Sequence, residues 1–126
     1  MEFEELYKIA KNKAKPWQIS KHTIVGKVGT ALLTDRGNVY TGIDINVPCA
    51  IGFCAEHSAI ASMLEAGENR IVKAVSVSAK YGIIAPCGRC REFMYQINPE
   101  NLKCEILLKD GTKTLDEQGH FLDGIM

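Results

Sequence analysis

Cys54 stands in the run Cys54-Ala55-Glu56-His57, and Cys87 and Cys90 stand in Pro86-Cys87-Gly88-Arg89-Cys90. Thiolates at such spacings are zinc ligands in proteins whose cysteines stay reduced. Three protein ligands leave a fourth position for water, the arrangement of a catalytic site, whereas four ligands close a structural one. Both are open here, because Cys54-x-x-His57 with Cys87-x-x-Cys90 supplies four donors. A plainer alternative also stands: three buried, reduced cysteines with no metal. Glu56 bears on the choice. At helical spacing it shares a face with Ala59, Ile60 and Met63, and a carboxylate among apolar groups is costly unless paired, protonated or used. Beside a metal-activated water it would take a proton and return it to a leaving group. As a first-turn acid facing the helix dipole it needs no such role.

The remaining candidates carry weaker signals. Five cysteines are an odd number, which argues against a fully paired disulfide framework, and Cys49 and Cys104 are expected to be small core residues. Met1-Glu2-Phe3-Glu4-Glu5 has neither the basic segment nor the apolar core of a signal peptide, and no apolar run nears the roughly 20 residues of a membrane span. A cytoplasmic protein is expected, in a compartment that keeps thiols reduced. Trp17, His22 and His120 are read as packing or surface residues. Asp44 and Asn46 lie two apart on a strand and face the same way, with Tyr40 further along. They are either a solvated strand end or polar contacts to a substrate.

The elements that must position these residues follow from periodicity and turn chemistry. Phe3, Leu6, Tyr7, Ala10 and Ala14 predict a helix that stops near Pro16. Residues 24–33 and 38–46 read as strands joined by the turn Asp35-Arg36-Gly37-Asn38. The apolar segment 47–53 holds Pro48 and Gly52, and is expected to be a loop covered by the core or by another subunit. A helix from Cys54 to Ala66 closes at Gly67, and 71–79 is a β-branched strand. Cys90, Phe93, Met94 and Ile97 predict a helix ending at Asn98-Pro99, followed by a strand over 102–109 and a turn at Asp110-Gly111. The tail after Leu115 is left unassigned. This order implies an α/β domain with a mixed sheet, and 126 residues suit one domain over 1–126. The middle helix runs away from Cys54 and the next strand returns, so both cysteine-bearing helices begin at the same end. Helix N-termini stabilise thiolates, and Arg89 and Arg91 would offset further negative charge. On an ideal helix of about 3.6 residues per turn Cys54 and Glu56 point about 200° apart, so both reach one metal only at the helix mouth.

Taken together, Cys54-Ala55-Glu56 and Pro86-Cys87-Gly88-Arg89-Cys90 resemble the signature of zinc-dependent nucleoside deaminases, in particular the small three-cysteine branch of cytidine and blasticidin-S deaminases. The resemblance spans roughly residues 24–109 and includes Gly29-Thr30-Ala31-Leu32-Leu33, which is similar to the family's Val-Gly-Ala-Ala-Leu strand. It implies a three-layer α/β/α domain with a mixed, roughly five-stranded sheet. It implies that Cys54, Cys87 and Cys90 ligate Zn²⁺, that Glu56 shuttles protons, and that Asp44, Asn46 and Ala55 contact a small pyrimidine substrate. The family is usually a homotetramer with sites completed by neighbouring subunits, which suits the apolar loop 47–53.

Departures from the pattern cluster away from the metal. Gly26 stands where the family has an aromatic residue, and Gly42-Ile43-Asp44-Ile45-Asn46 replaces Gly-x-Asn-x-Glu, whose Asn and Glu hold the sugar. His57 replaces an Arg, and the usual Leu-Leu-Pro and aromatic ending is missing, with Phe121 as a candidate to cover a site. The expected activity is therefore deamination of cytidine, deoxycytidine, blasticidin S or another small aminopyrimidine, with a structural zinc protein as the rival. Lys plus Arg and Asp plus Glu each number 15, and this neutrality argues against nucleic acid and anionic membranes as partners.

Overall fold

The computed structural model describes residues 1–118, so His120 and Phe121 lie outside the described residues. Its strands are β1 (Trp17–Gln18), β2 (Ile24–Thr34), β3 (Val39–Asn46), β4 (Ile71–Ser78), β5 (Gly82–Ile84), β6 (Glu105–Leu108) and β7 (Gly111–Thr114). The helices are α1 (Phe3–Lys13), α2 (Ala55–Glu65) and α3 (Gly88–Ile97). All the strands join one mixed sheet, in which β4 and β6 are parallel and the other pairs antiparallel.

Alternation along β2 and β4 divides the side chains between two faces. On one face Ala31, Leu33, Val75 and Val77 pack against Leu6 and Ala10 of α1. On the other, Leu32, Ala74 and Ile106 meet Ala59, Ile60 and Met63 of α2 and Met94 of α3, and Cys104 fills space there as expected. The α/β/α layering is thus the expected one. The described residues form seven strands, where roughly five were expected and four were placed by residue. The additions are β1, β5 and β7, of two to four residues, too short to carry a periodic signal. The strand expected over 102–109 begins only at Glu105, because Pro99–Lys103 forms a 3₁₀ turn.

Two glycines set how closely the outer layers approach. A Cβ on Gly29 would lie 2.3 Å from the Ala10 carbonyl oxygen of α1, and one on Gly42 would lie 2.3 Å from the Ala59 nitrogen of α2. Gly42 therefore lets the first turns of α2 rest on β3. At its far end α2 stops at Gly67, whose φ is +87°, with Glu68 N–H donating to the Met63 carbonyl.

The other cysteine-bearing helix is anchored through Asn101, which is fully buried. Its Oδ1 accepts from the Ile71 N–H at 2.8 Å, and its Nδ2 donates to the Met94 carbonyl at 2.9 Å and the Asn69 carbonyl at 3.1 Å. One side chain thus ties the end of α3 to the start of β4. Asn101→Ala is expected to leave the buried Ile71 N–H unpaired and to destabilise the fold by about 1–3 kcal/mol, read as a shift of the urea midpoint with an unchanged m-value.

Candidate active site

Cys54 and Cys87 occupy the N-cap positions of α2 and α3, with extended backbones at φ −74°, ψ 157° and φ −71°, ψ 167°. Neither side chain makes the hydrogen bond to the first turn that Ser or Asp makes there, so both thiols are left for other partners. Cys54 is also not a helical residue, which is why the 200° separation expected on an ideal helix does not apply to it.

The two helix starts bring the donors together. The Cys87 and Cys90 sulfurs are 3.6 Å apart, and Cys90 Sγ lies 3.4 Å from His57 Nδ1. The donor atoms of Cys54, His57 and Cys90 all lie within 4.8 Å of one another. Two sulfurs bound to one tetrahedral zinc at about 2.3 Å are separated by about 3.8 Å, so this set of soft donors fits the ion. His57 was legible from its i+3 spacing to Cys54, yet the trio expected first held Cys87 in its place. Its ring stacks on Phe93 with centroids 4.7 Å apart, which fixes its plane.

The charges are set by burial and by the helix ends. Burial pushes the Cys54 thiol up and the Cys90 thiol up strongly, Cys90 being additionally opposed by the Glu56 charge. Burial also pushes on Cys87. There it is outweighed by the N–H groups of Cys90 and Arg89 and by the neighbouring thiols, which leave Cys87 below the usual thiol range. Arg89 lies along the same cleft, whereas Arg91 donates to the Gln118 carbonyl at 2.9 Å. Burial raises Glu56 above the usual carboxylate range, against the hydrogen bonds it receives. It is 6% exposed and accepts from Ser76 Oγ at 3.0 Å, and Ser76 Oγ lies 2.7 Å from Thr30 Oγ1. These two hydroxyls escaped the sequence reading; the signal was Ser76 inside the apolar run 71–79.

Cys54, Ala55, Glu56 and Cys87 line a cleft of about 360 Å³, together with Asp44 and Asn46. Asp44 sits where the β2–β3 register slips between Val25 and Gly29, and its Oδ1 accepts the Val28 N–H at 2.9 Å. Its other oxygen accepts from Asn46 Nδ2. Gly26, at φ +79°, makes the same irregularity possible, and a Cβ there would lie 2.6 Å from the Lys15 carbonyl oxygen. Tyr40, in contrast, lies at the other end of β3 and donates to Glu68. Segment 47–53 forms a wall of the cleft and is pinned back to β3 by paired hydrogen bonds between Ile45 and Phe53. The core of its own chain does not cover it: Ile51 is 79% exposed. Cys49 is exposed at φ +65°, so it is a turn residue and not the core residue expected. Polar residues on that turn would have marked it; the apolar ones hid it.

Thiols at two helix N-termini with a buried carboxylate beside them, on an α/β/α frame, make up a candidate zinc centre. The model of the family described as the cytidine and deoxycytidylate deaminase zinc-binding region matches residues 1–106, and the chain belongs to that family, with zinc as the cofactor. It is 33% identical over 70 residues to a cytidine deaminase of Mycobacterium tuberculosis, covering 55% of this chain and 53% of that one. A cytidine deaminase of Photorhabdus laumondii is 35% identical over 99 residues, 75% of this chain and 30% of that one. The chain thus spans about half the length, or less, of these curated relatives. Among solved structures, the Mycobacterium leprae cytidine deaminase superposes with TM-score 0.77 at 24% identity, covering 93% and 96% of the two chains. That of Burkholderia pseudomallei gives 0.71 at 26%, covering 93% and 95%. Among the described residues no helix is long and apolar enough to cross a membrane.

Stripping the metal with a chelator leaves mutually close thiols at two helix ends. The melting temperature is expected to fall by several degrees and to recover with added zinc, since a ligand at a thousandfold its Kd stabilises by about 4 kcal/mol.

Proposed function

We propose that this chain removes the exocyclic amine of a small aminopyrimidine nucleoside, cytidine or deoxycytidine, as ammonia. The observation that carries this reading is Glu56, a buried carboxylate opening onto the same cleft as Cys54 and Cys87. Cys54, Cys87 and Cys90 hold the zinc. His57 Nδ1 lies 3.4 Å from the Cys90 sulfur, and the tautomer protonated there would donate a hydrogen bond to that thiolate where the family has an Arg. Bound there, zinc would supply a Lewis acid that lowers the pKa of water to about 7. Replacing an amine by oxygen with release of ammonia requires a proton at the ring nitrogen and another at the departing nitrogen. Glu56 takes the two protons of the attacking water one after the other, passing the first to the ring nitrogen and the second to the departing nitrogen as the carbonyl forms, and burial, by raising its pKa, keeps each proton available.

Asp44, Asn46 and Ala55 contact the substrate. Asp44 is tied to Val28 and Asn46 with further acceptor capacity on each oxygen, and exposed Asn46 keeps its Oδ1 and second N–H for the sugar half. Substitutions in that half leave blasticidin S and other aminopyrimidines as further substrates. Residues 1–126 act as one catalytic domain in the cytoplasm, and exposed Ile51 and Phe53 meet a second copy in a homo-oligomer, the tetramer of the resemblance.

A second reading has one observation in its favour. With His57 as a ligand beside Cys54 and Cys90, and Cys87 completing the set, the zinc is closed and structural. Two variants separate the readings. Glu56→Ala should keep stoichiometric zinc while kcat falls by about 10²–10⁴-fold; full activity in that variant would remove Glu56 from the reaction. His57→Ala should also keep its zinc, measured by atomic absorption, whereas loss of metal would support the closed site. Ammonia release assayed with cytosine, cytidine, deoxycytidine, isocytosine and blasticidin S decides the substrate. Zinc-loaded protein that turns over none of them would defeat the proposal.

A further inference from the structure

A carboxylate that moves protons must present one particular oxygen, and a Glu side chain does not do so by itself. Its last torsion is a broad two-fold well, so the two oxygens exchange unless something holds one of them. Here Ser76 on β4 holds Oε2, at 3.0 Å. Ser76 is 4% exposed and its hydroxyl has a single proton. When that proton points to an ionised Glu56, the Ser76 oxygen is left as an acceptor, and the donor 2.7 Å away is the hydroxyl of Thr30, on β2 and fully buried. The chain Thr30 to Ser76 to Glu56 then has one direction.

Packing does not demand these hydroxyls. They sit on the sheet face that otherwise presents Leu32, Ala74 and Ile106 to the helices, where apolar residues of similar size would serve as well. A buried hydroxyl costs free energy unless it is paired, and two hydroxyls bonded to each other would satisfy that need without a carboxylate. The third link, to Oε2, is the one that packing leaves unexplained.

We propose that Ser76, oriented by Thr30, is a positioning residue that holds Glu56 Oε2 and leaves Oε1 as the oxygen that carries the proton. This rests on Glu56 being the proton carrier of the deamination. Ser76→Ala removes the hydroxyl that selects Oε2, leaving the carboxylate its own backbone N–H and the Cys90 thiol as partners, and removes nothing that touches substrate or zinc. Misplacement on that scale lowers kcat by about ten- to a hundredfold. KM should stay within about twofold, because substrate binding is untouched.

The test uses zinc-loaded protein labelled with ¹³C at the glutamate carboxyl carbons, with the Glu56 resonance assigned by its disappearance in Glu56→Gln. In Ser76→Ala the Glu56 resonance should move while zinc stays stoichiometric and kcat falls. Ser76→Thr, which keeps the hydroxyl, should restore the resonance and most of kcat. The double variant Thr30→Val with Ser76→Ala removes both hydroxyls, leaves no unpaired one, and should reproduce the loss if the single variant folds poorly. An unmoved resonance, an unchanged kcat, a loss that falls on KM, or zinc loss in step with activity would each overturn the proposal. If the parent protein turns over no aminopyrimidine, the functional reading fails, and the resonance alone still decides whether Ser76 holds the carboxylate.

Discussion

The close approach of α2 to β3 at Gly42 is the constraint on which the site depends. The Ala59 nitrogen and the Ala55 carbonyl oxygen lie 2.3 and 2.5 Å from where a Cβ would stand, so the helix backbone rests directly on the strand at a distance only glycine permits. That contact fixes the first turn of α2 over the sheet, and with it Cys54, Glu56 and His57. The turn lies over the face of β2 and β4 that carries Thr30 and Ser76, so the buried carboxylate finds its hydroxyl partner directly beneath it. The α3 end is fixed by a different means, the satisfied side chain of Asn101. Both cysteine-bearing helices are therefore held by the fold itself, α2 by a close backbone approach and α3 by a buried side chain.

Within this frame the electrostatics are opposed. Burial raises Cys54, Cys90 and Glu56 together, and the Glu56 charge further opposes both thiols. Cys87 falls despite burial, because the N–H groups at the start of α3 and the neighbouring thiols favour its charged form. Glu56 is raised by burial with the Asp44 charge behind it, while the Cys90 hydrogen bond works the other way.

Much of this was readable from residue types and spacing. Helical periodicity located α1, α2 and α3, β-branched runs located β2, β3 and β4, and the cysteine spacing located the metal-binding end. What escaped was decided by contacts between segments distant in sequence. The strands β1, β5 and β7 exist because a neighbour offers them hydrogen bonds, and the turn around Cys49 adopts left-handed backbone that its residue types do not advertise. Ser76 looked like an ordinary polar residue in a strand until Thr30 and Glu56, 46 and 20 positions away, were seen beside it. The helical-wheel objection to Cys54 and Glu56 acting together dissolved for a local reason: a cap residue is not on the wheel.

Asp44 has a consequence for how such a protein diversifies. Its carboxylate faces the cleft, yet it also takes the place of the backbone acceptor that the irregular register of β2 and β3 denies to Val28. Exchanging it to suit a new ligand would disturb the sheet at the same stroke. Asn46 and the exposed residues of 47–53 bear no comparable load on the central strands. Innovation in ligand preference has its open ground there, at the rim, while the floor of the cleft stays tied to the integrity of the fold.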